Sequence, residues 1–256
     1  MAKFTLSHND ILVFIAGVFV FLFPVVPSYL DFRIHENFGL SIQRVLVFVA
    51  FMVFSACLVS GRELCKNLIF VISRNKFVAL FLGGYIFLRF LSYFYNPSVY
   101  SLFLLVNEVL MNAFVLLFFA SVLISVEHVQ RIVRVSIFAG LLVSIVVFVE
   151  IAMGGNFLST LADVSTTAGK VAAEVKNRDG YLRAQGTFEH PLALAQYLLA
   201  LLLMLFSRPI FGCSRVFLVL AAVVLFLAAY SARVRTFYVC FLFGVVFYLF
   251  IVFAGQ

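Results

Sequence analysis

The chain has 256 residues, of which 65% are hydrophobic and only 11% are charged, and its net charge is +7. A water-soluble domain needs about a quarter of its residues charged, so this composition excludes a soluble globular protein. In so apolar a chain, the positive charge indicates basic loops that set the topology and meet anionic lipid, rather than a nucleic-acid-binding protein.

Apolar runs recur along the whole chain, and about 20 helical residues are enough to cross a bilayer. Because the runs lack alternating polarity, they predict helices and not outer-membrane strands. The expected fold is an all-α, polytopic transmembrane bundle that forms one integral membrane domain over residues 1–256. The eight predicted spans are Ile11–Val26, Ser41–Ser60, Phe77–Tyr95, Ser101–Ser125, Val135–Met153, Pro191–Ser207, Val216–Tyr230 and Thr236–Ala254.

The short loops predict the orientation of the bundle. With the N-terminus in the cytoplasm, the inner side carries Lys3, Arg62, Lys66, Arg74, Lys76, Arg131, Arg134, Arg208 and Arg215. The positive-inside rule therefore favours a cytoplasmic N-terminus, although the turn with Arg233 and Arg235 favours the opposite. This orientation places that turn and the one long loop, residues 154–190, outside.

The long loop holds a second possible membrane element. Residues 159–176 have the periodicity of an amphipathic helix, which would lie at the interface and either gate lipid entry or cover the bundle. Its apolar stripe consists of Leu161, Val164, Ala168, Val171, Ala172 and Val175.

Charged residues lie inside predicted spans, toward their outer ends, and among them are Arg89, Glu108 and Glu150. Because a charge in hydrocarbon is costly, such groups pair with one another or line a water-filled cavity. One interpretation is a polar cavity that opens outside and has all three on its walls. The other is that Arg89 reaches toward the interface and pairs with Glu108 for structural reasons.

The stretch "YLRAQGTFEHPL", residues 181–192, ends the long loop. Gly186 permits a sharp turn, and Pro191 suits the first turn of a helix, which places Glu189 and His190 at the mouth of that helix.

The same stretch carries donors suited to an anion. Arg183, the hydroxyl of Thr187 and the free N–H groups of the new helix predict an anion site facing the proposed cavity.

A second motif, "YSARVRTF", opens the last span with Arg233 and Arg235. Arginine is favoured where planar, bidentate contact with phosphate oxygens is needed, and two arginines two residues apart point to different sides, so only one need face inward. The alternative is that both are ordinary interfacial arginines at a helix end.

These residues carry a family resemblance. "RAQGTFEHPLALAQYL" resembles the Arg-x-x-Gly-Thr-Phe-x-(Asn or His)-Pro signature of the O-antigen ligase and O-antigen polymerase-like membrane proteins. "SARVRTF" resembles the Ser-x-Ser-Arg-(Gly or Thr) signature found further along the same family. The resemblance covers residues 183–236.

The resemblance implies a GT-C-like glycosyltransferase of the bacterial inner membrane. Such a protein transfers a glycan from undecaprenyl diphosphate to an acceptor sugar, on lipid A core or on another repeat unit, and works beside polysaccharide assembly proteins. It implies that Arg183 and Arg235 bind the donor diphosphate. The sequence shows no metal-binding cluster, so no metal or cofactor is expected. The resemblance also implies a general-base histidine in a large loop beyond Gln256, so the chain is expected to lack that part and to be inactive if truncated.

Two other functions use the same arginines. A transporter or flippase for an anionic or lipid-linked solute would bind and release it without chemistry, although no matching pair of Gly- or Pro-broken spans supports this. A membrane scaffold for polysaccharide-export partners would have no catalytic role. The four cysteines show no metal or disulfide spacing.

Overall fold

Helices make up most of the residues that the computed structural model describes, which are residues 8–27, 29–35, 38–60, 62–74, 76–95, 97–161, 170, 177–178, 180–205 and 214–254. The strands within these ranges form two short antiparallel hairpins. The all-α class predicted from sequence is therefore confirmed.

The chain divides into two compact units, and the first comprises residues 1–19 and 43–132. Its elements, including the start of the helices that continue into the second unit, are α1 (His8–Val25), α2 (Ile42–Ser60), α3 (Arg62–Arg74), α4 (Lys76–Tyr95), α5 (Val99–Glu108), a π-helical turn (Val109–Phe114), α6 (Val115–Val122) and α7 (Val126–Met153).

A capping box and an aromatic cluster organise this unit. Ser98 begins α5, because the Ser101 N–H donates to its hydroxyl while its own N–H donates to the Ser101 hydroxyl. Further along, the ring of Phe54 lies 5.7 Å from those of both Phe114 and Phe118, at edge-to-face angles that aromatic pairs prefer. Phe114 and Phe118, one helical turn apart, thus pack against Phe54 of α2 within the core of the unit.

The second unit comprises residues 20–42 and 133–256 and contains the rest of α7. Its other elements are β1 (Asp31–His35), β2 (Phe38–Ser41), a 3₁₀ turn (Phe157–Leu161), β3 (Asn177–Arg178), β4 (Tyr181–Leu182), α8 (Pro191–Leu205), α9 (Arg215–Ser231) and α10 (Arg235–Ala254). Strand β1 pairs with β2, and β3 with β4.

The core of the second unit is a stripe on α8 packed between α7 and α9. Leu194, Leu198 and Leu201 recur at helical spacing and are fully or almost fully buried. Gly140 lets α7 approach this stripe, since a Cβ there would collide with the Leu201 side chain. Close packing of these helices positions the polar loop that precedes α8.

Three helical segments are long and apolar enough to cross a membrane: Ile42–Ser60, Ser101–Val122 and Val126–Met153. Helices α3 and α4 count as a fourth if the pair, bent by 94°, is one span. Helices α1, α8, α9 and α10 are shorter apolar helices. These features are those of a membrane protein, and each of the eight predicted apolar runs coincides with a helical segment.

Two elements differ from the sequence-based expectation. Helix α3 occupies residues 62–74, which were interpreted as a basic loop, and α7 begins at Val126, well before the predicted start at Val135. The predicted amphipathic helix at 159–176 lies mostly outside the described residues, and its first residues end the 3₁₀ turn Phe157–Leu161.

Candidate functional site

The two arginine motifs lie side by side in the second unit. The backbone N–H of Ala184 donates to the carbonyl of Ser231 at 3.2 Å. The guanidinium Nε–H of Arg183 donates to the carbonyl of Ala232 at 3.4 Å, which bridges 49 residues of sequence. Hydrogen bonds therefore join the end of the long loop to the turn between α9 and α10.

A second contact joins the same two segments. The guanidinium carbon of Arg233 lies 4.0 Å from the centroid of the Tyr181 ring, within the range of a cation–π interaction. Arg233 has φ of 50°, a left-handed conformation that costs a non-glycine residue of order 1 kcal/mol. The neighbours Ala232 and Val234 are buried, so the turn directs Arg233 toward Tyr181.

Arg235 is the first residue of α10, and its side chain is exposed. In the part of the chain that the structure describes, it makes no ion pair. It follows Arg233 by two residues and lies three residues beyond Ala232, the carbonyl that Arg183 contacts. The turn thus places two arginines beside the Arg183 loop: Arg233, which stacks on Tyr181, and Arg235, which is exposed.

Glu150 binds the backbone of the loop that carries Arg183. Its carboxyl group, only 1% exposed, accepts hydrogen bonds from the backbone N–H of Gln185 at 3.2 Å and of Gly186 at 2.6 Å. These backbone donors replace the hydrogen bonds to water that the carboxyl group loses on burial. The prediction that Glu150 lines an open cavity is therefore wrong, because the side chain is enclosed beneath the motif.

Gly186 is buried, with aliphatic side chains beside its Cα and hydrogen-bond donors at its carbonyl. Its φ is 58°, which favours glycine, and a Cβ would approach Val147 Cγ2 to 3.1 Å, so a larger residue would also require the Val147 side chain to shift. Its carbonyl accepts hydrogen bonds from the Tyr29 hydroxyl at 3.4 Å and from Asn156 Nδ2 at 3.2 Å.

Tyr29 is fully buried in this network, outside the membrane-crossing helices. Burial raises the pKa of Tyr29 to about 12, the nearby Glu150 carboxyl group adds to the rise, and the hydrogen bond with Asn156 partly offsets it. Tyr29 is therefore a neutral hydrogen-bond donor at physiological pH.

Thr187 fastens the next residue of the loop. Its hydroxyl donates to the Pro24 carbonyl at 2.6 Å, and the residue is 2% exposed. The ring of the following Phe188 lies 5.4 Å from the ring of Tyr197 on α8. The prediction that the Thr187 hydroxyl donates to an anion is therefore wrong, because it donates to the Pro24 carbonyl inside the protein.

His190 caps helix α8. Its Nδ1 accepts the backbone N–H of Leu192 at 3.1 Å, and its carbonyl accepts the N–H of Ala193 at 3.0 Å. Pro191 has no N–H, so the first-turn donors expected to face an anion are already used by His190. The prediction that they form part of the anion site is therefore wrong, while the placement of His190 and the half-buried Glu189 at the helix mouth is confirmed.

Arg89 and Glu108 pair in the first unit. Arg89 Nε lies 2.6 Å from Glu108 Oε2, and the guanidinium carbon lies 5.5 Å from the Tyr85 ring centroid. The Tyr85 hydroxyl donates to Glu108 Oε2 at 3.4 Å and accepts from Asn112 Nδ2 at 3.1 Å. The pairing that the sequence offered as a structural alternative is therefore observed.

A shallow groove of about 400 Å³ adjoins this cluster. Its lining is mostly apolar and comprises Phe81, Leu82, Tyr85, Asn112 and Leu116. Because Arg89 and Glu108 belong to the first unit and the arginine motifs to the second, a cavity shared by the two sets stays a prediction.

Sequence reasoning missed Tyr29, Asn156 and Tyr181. Asn156 and Gly186 are 30 residues apart, and Tyr29 and Gly186 are 157 apart. Of the three, only Tyr181 offered a signal, as an aromatic residue two positions before a motif arginine. Within the described ranges, no group of three His, Cys, Asp or Glu side chains could hold a metal ion.

Comparisons of this chain with protein-family models, with curated proteins and with solved structures found no match. The family resemblance of the two arginine motifs therefore stays a prediction.

Proposed function

We propose that the chain binds a glycan carried on undecaprenyl diphosphate and transfers it to an acceptor sugar, as an O-antigen ligase- or polymerase-like membrane glycosyltransferase. The observation that carries this proposal is the hydrogen-bonded contact between the two arginine motifs. Arg183 and Ala232 are 49 residues apart in sequence, yet they are direct neighbours. Two arginine-bearing segments of unrelated sequence position are thereby brought to one place.

Arginine suits the diphosphate because its planar donors match two phosphate oxygens at once. Arg183 uses its Nε–H on the Ala232 carbonyl, and its terminal N–H groups make no hydrogen bond within the described part of the chain. Arg235 is exposed at the start of α10. When the bond between the sugar and the diphosphate breaks, negative charge develops on the leaving group, and fixed cations stabilise it.

The support beneath the loop favours this role. Glu150, Tyr29, Asn156 and Pro24 bind its backbone or the Thr187 side chain, so the Arg183 segment is held before any substrate arrives. Donors held in place need not reorganise when the transition state forms. The positive charge of the proposed site comes from arginine side chains and not from the start of α8, whose first N–H groups bind His190.

The lipid-linked substrate would reach these arginines from the bilayer. We propose eight spans in a GT-C-like arrangement, a cytoplasmic N-terminus and the arginine motifs on the outer side of the bacterial inner membrane. Polysaccharide assembly proteins are the expected partners. The acceptor hydroxyl would need a general base, and no described residue is assigned to that role.

Binding of undecaprenyl diphosphate to the purified chain in nanodiscs tests the proposal. Hydrogen bonds to charged groups contribute about 1.5–3 kcal/mol, so Arg183→Ala and Arg235→Ala should each weaken binding by about tenfold to a hundredfold. Arg131→Ala, which removes an exposed arginine of α7, is the matched control and should bind as the wild type does. Undecaprenol, which lacks the diphosphate, should bind all four proteins equally.

The outcomes separate the candidate functions. Wild-type affinity in both alanine variants would show that the diphosphate binds elsewhere. Loss of binding together with glycan transfer by the wild type supports the glycosyltransferase. Loss of binding without any transfer, but with movement of the lipid-linked glycan between leaflets, would favour the flippase.

A further inference from the structure

Helix α3 has two distinct faces. Leu64, Leu68 and Ile72 recur every four residues on one side of Arg62–Arg74. Polar residues lie on the other side: Lys66, Asn67, Ser73 and Arg74. Such a division is typical of a helix that lies along a boundary between an apolar and an aqueous phase.

Only part of the apolar side packs against the protein. Leu64 is 5% exposed, and α3 contacts α6 within the same unit. Ile69 and Ile72, by contrast, are 66% and 41% exposed. The helix therefore uses one edge of its apolar side for folding and leaves large apolar side chains uncovered along the other.

Basic side chains border the uncovered apolar residues. Residues 62–76 contain four Lys or Arg and one acidic residue, Glu63. Lys66, Arg74 and Lys76 are all exposed, and the guanidinium carbon of Arg74 lies 5.6 Å from the centroid of the Phe70 ring. Positive charge and exposed hydrocarbon thus share one surface, the combination that an anionic bilayer complements.

The bend between α3 and α4 gives this surface the required orientation. The two helices are bent by 94°, so α3 lies parallel to the membrane surface when α4 crosses the bilayer. We propose that α3 is an in-plane interfacial helix that inserts Ile69 and Ile72 among lipid chains and binds anionic phospholipid headgroups through Lys66, Arg74 and Lys76. This surface belongs to the first unit and does not depend on the function of the arginine motifs.

The experiment uses the absence of tryptophan from the sequence. Ile69→Trp then introduces a single fluorophore at an exposed position, in the full chain reconstituted into vesicles. The probes are phosphatidylglycerol and phosphatidylcholine with brominated acyl chains, each at the same mole fraction. Phe243→Trp, at a position 70% exposed on α10, is the matched probe for a site without neighbouring charge.

At low salt, brominated phosphatidylglycerol should quench the Ile69→Trp fluorescence more than brominated phosphatidylcholine does. Each of these basic side chains should raise the affinity for anionic lipid by up to about fivefold, the equivalent of about 1 kcal/mol. Combining Lys66→Gln, Arg74→Gln and Lys76→Gln should therefore abolish the preference. High salt should weaken the preference in the unaltered background, where no folding defect can intervene. The Phe243→Trp probe should be quenched equally by both lipids.

Two results would overturn the proposal. Absence of quenching of Ile69→Trp by either lipid would mean that water or another protein surface covers α3. Equal quenching by the two lipids, unchanged by salt and by the three glutamine substitutions, would mean that α3 meets lipid without recognising its charge.

Discussion

Replacing Glu150 with alanine should loosen the loop that carries Arg183. The substitution removes the carboxylate oxygens that accept two backbone hydrogen bonds, from the N–H groups of Gln185 and Gly186, at a position 1% exposed. Each buried donor left without an acceptor costs about 1–3 kcal/mol. We therefore expect the free energy of unfolding to fall by about 2–6 kcal/mol.

The size of this loss depends on water, because a cavity left by the shortened side chain is polar and could admit a molecule that bridges the donors. Glu150→Gln distinguishes the effect of hydrogen bonding from that of volume, since it keeps one acceptor oxygen at nearly the same size. We expect Glu150→Gln to lose less stability than Glu150→Ala. Both variants should also bind undecaprenyl diphosphate more weakly, because Arg183 is two residues from Gln185.

Equilibrium unfolding in mixed detergent micelles, followed by the helical circular dichroism signal, measures the loss. Glu127→Ala is the control, because it removes an exposed carboxylate from the first turn of the same helix and should cost at most about 1 kcal/mol through the helix dipole. Equal stability of Glu150→Ala and Glu127→Ala would refute the argument that Glu150 holds the loop.

Two further predictions concern the same loop. Gly186→Ala should destabilise the protein by about 1–2 kcal/mol, because alanine must adopt a φ of 58° and press against Val147. In the control Gly83→Ala, in α4, the added Cβ meets no atom, so that variant should be neutral or stabilising. Equal unfolding midpoints of the two variants in thermal scans would contradict this prediction. Because the folded-state pKa of Tyr29 is about 12 and the ordinary value is 10.0, its neutral form stabilises the fold fully below pH 10.0, and that stability is lost as pH rises through about 12. Unfolding of Tyr29→Phe should lack this alkaline loss, and an identical pH profile in both proteins would show that Tyr29 is not buried.

The apolar helices were predictable because a span is a local property of the chain. A helix that crosses hydrocarbon must satisfy its backbone internally and present apolar side chains, so a run of about 20 such residues is sufficient to predict it. The start of α8 was also predictable, since Pro191 needs no N–H partner in the first turn. The family resemblance of the arginine motifs came from their residues alone and stays a prediction.

Helix α3 escaped prediction because its basic residues resemble those of a loop. Four Lys or Arg between two apolar runs satisfy the positive-inside rule whether or not the segment is helical. Its apolar residues are too few for a span, and their role is visible only when the bend at α4 and the exposure of Ile69 and Ile72 are known.

The sequence by itself determined where the apolar helices lie and which arginines could meet an anion, because run length and residue type are read along the chain. The tertiary structure decided what each polar group does. Glu150 and Thr187 were candidates for a cavity and an anion, yet their hydrogen bonds close on Gly186 and Pro24, across 36 and 163 residues. The physical reason is that a buried polar group binds whichever donor or acceptor packing brings to it, and packing joins segments that sequence distance separates.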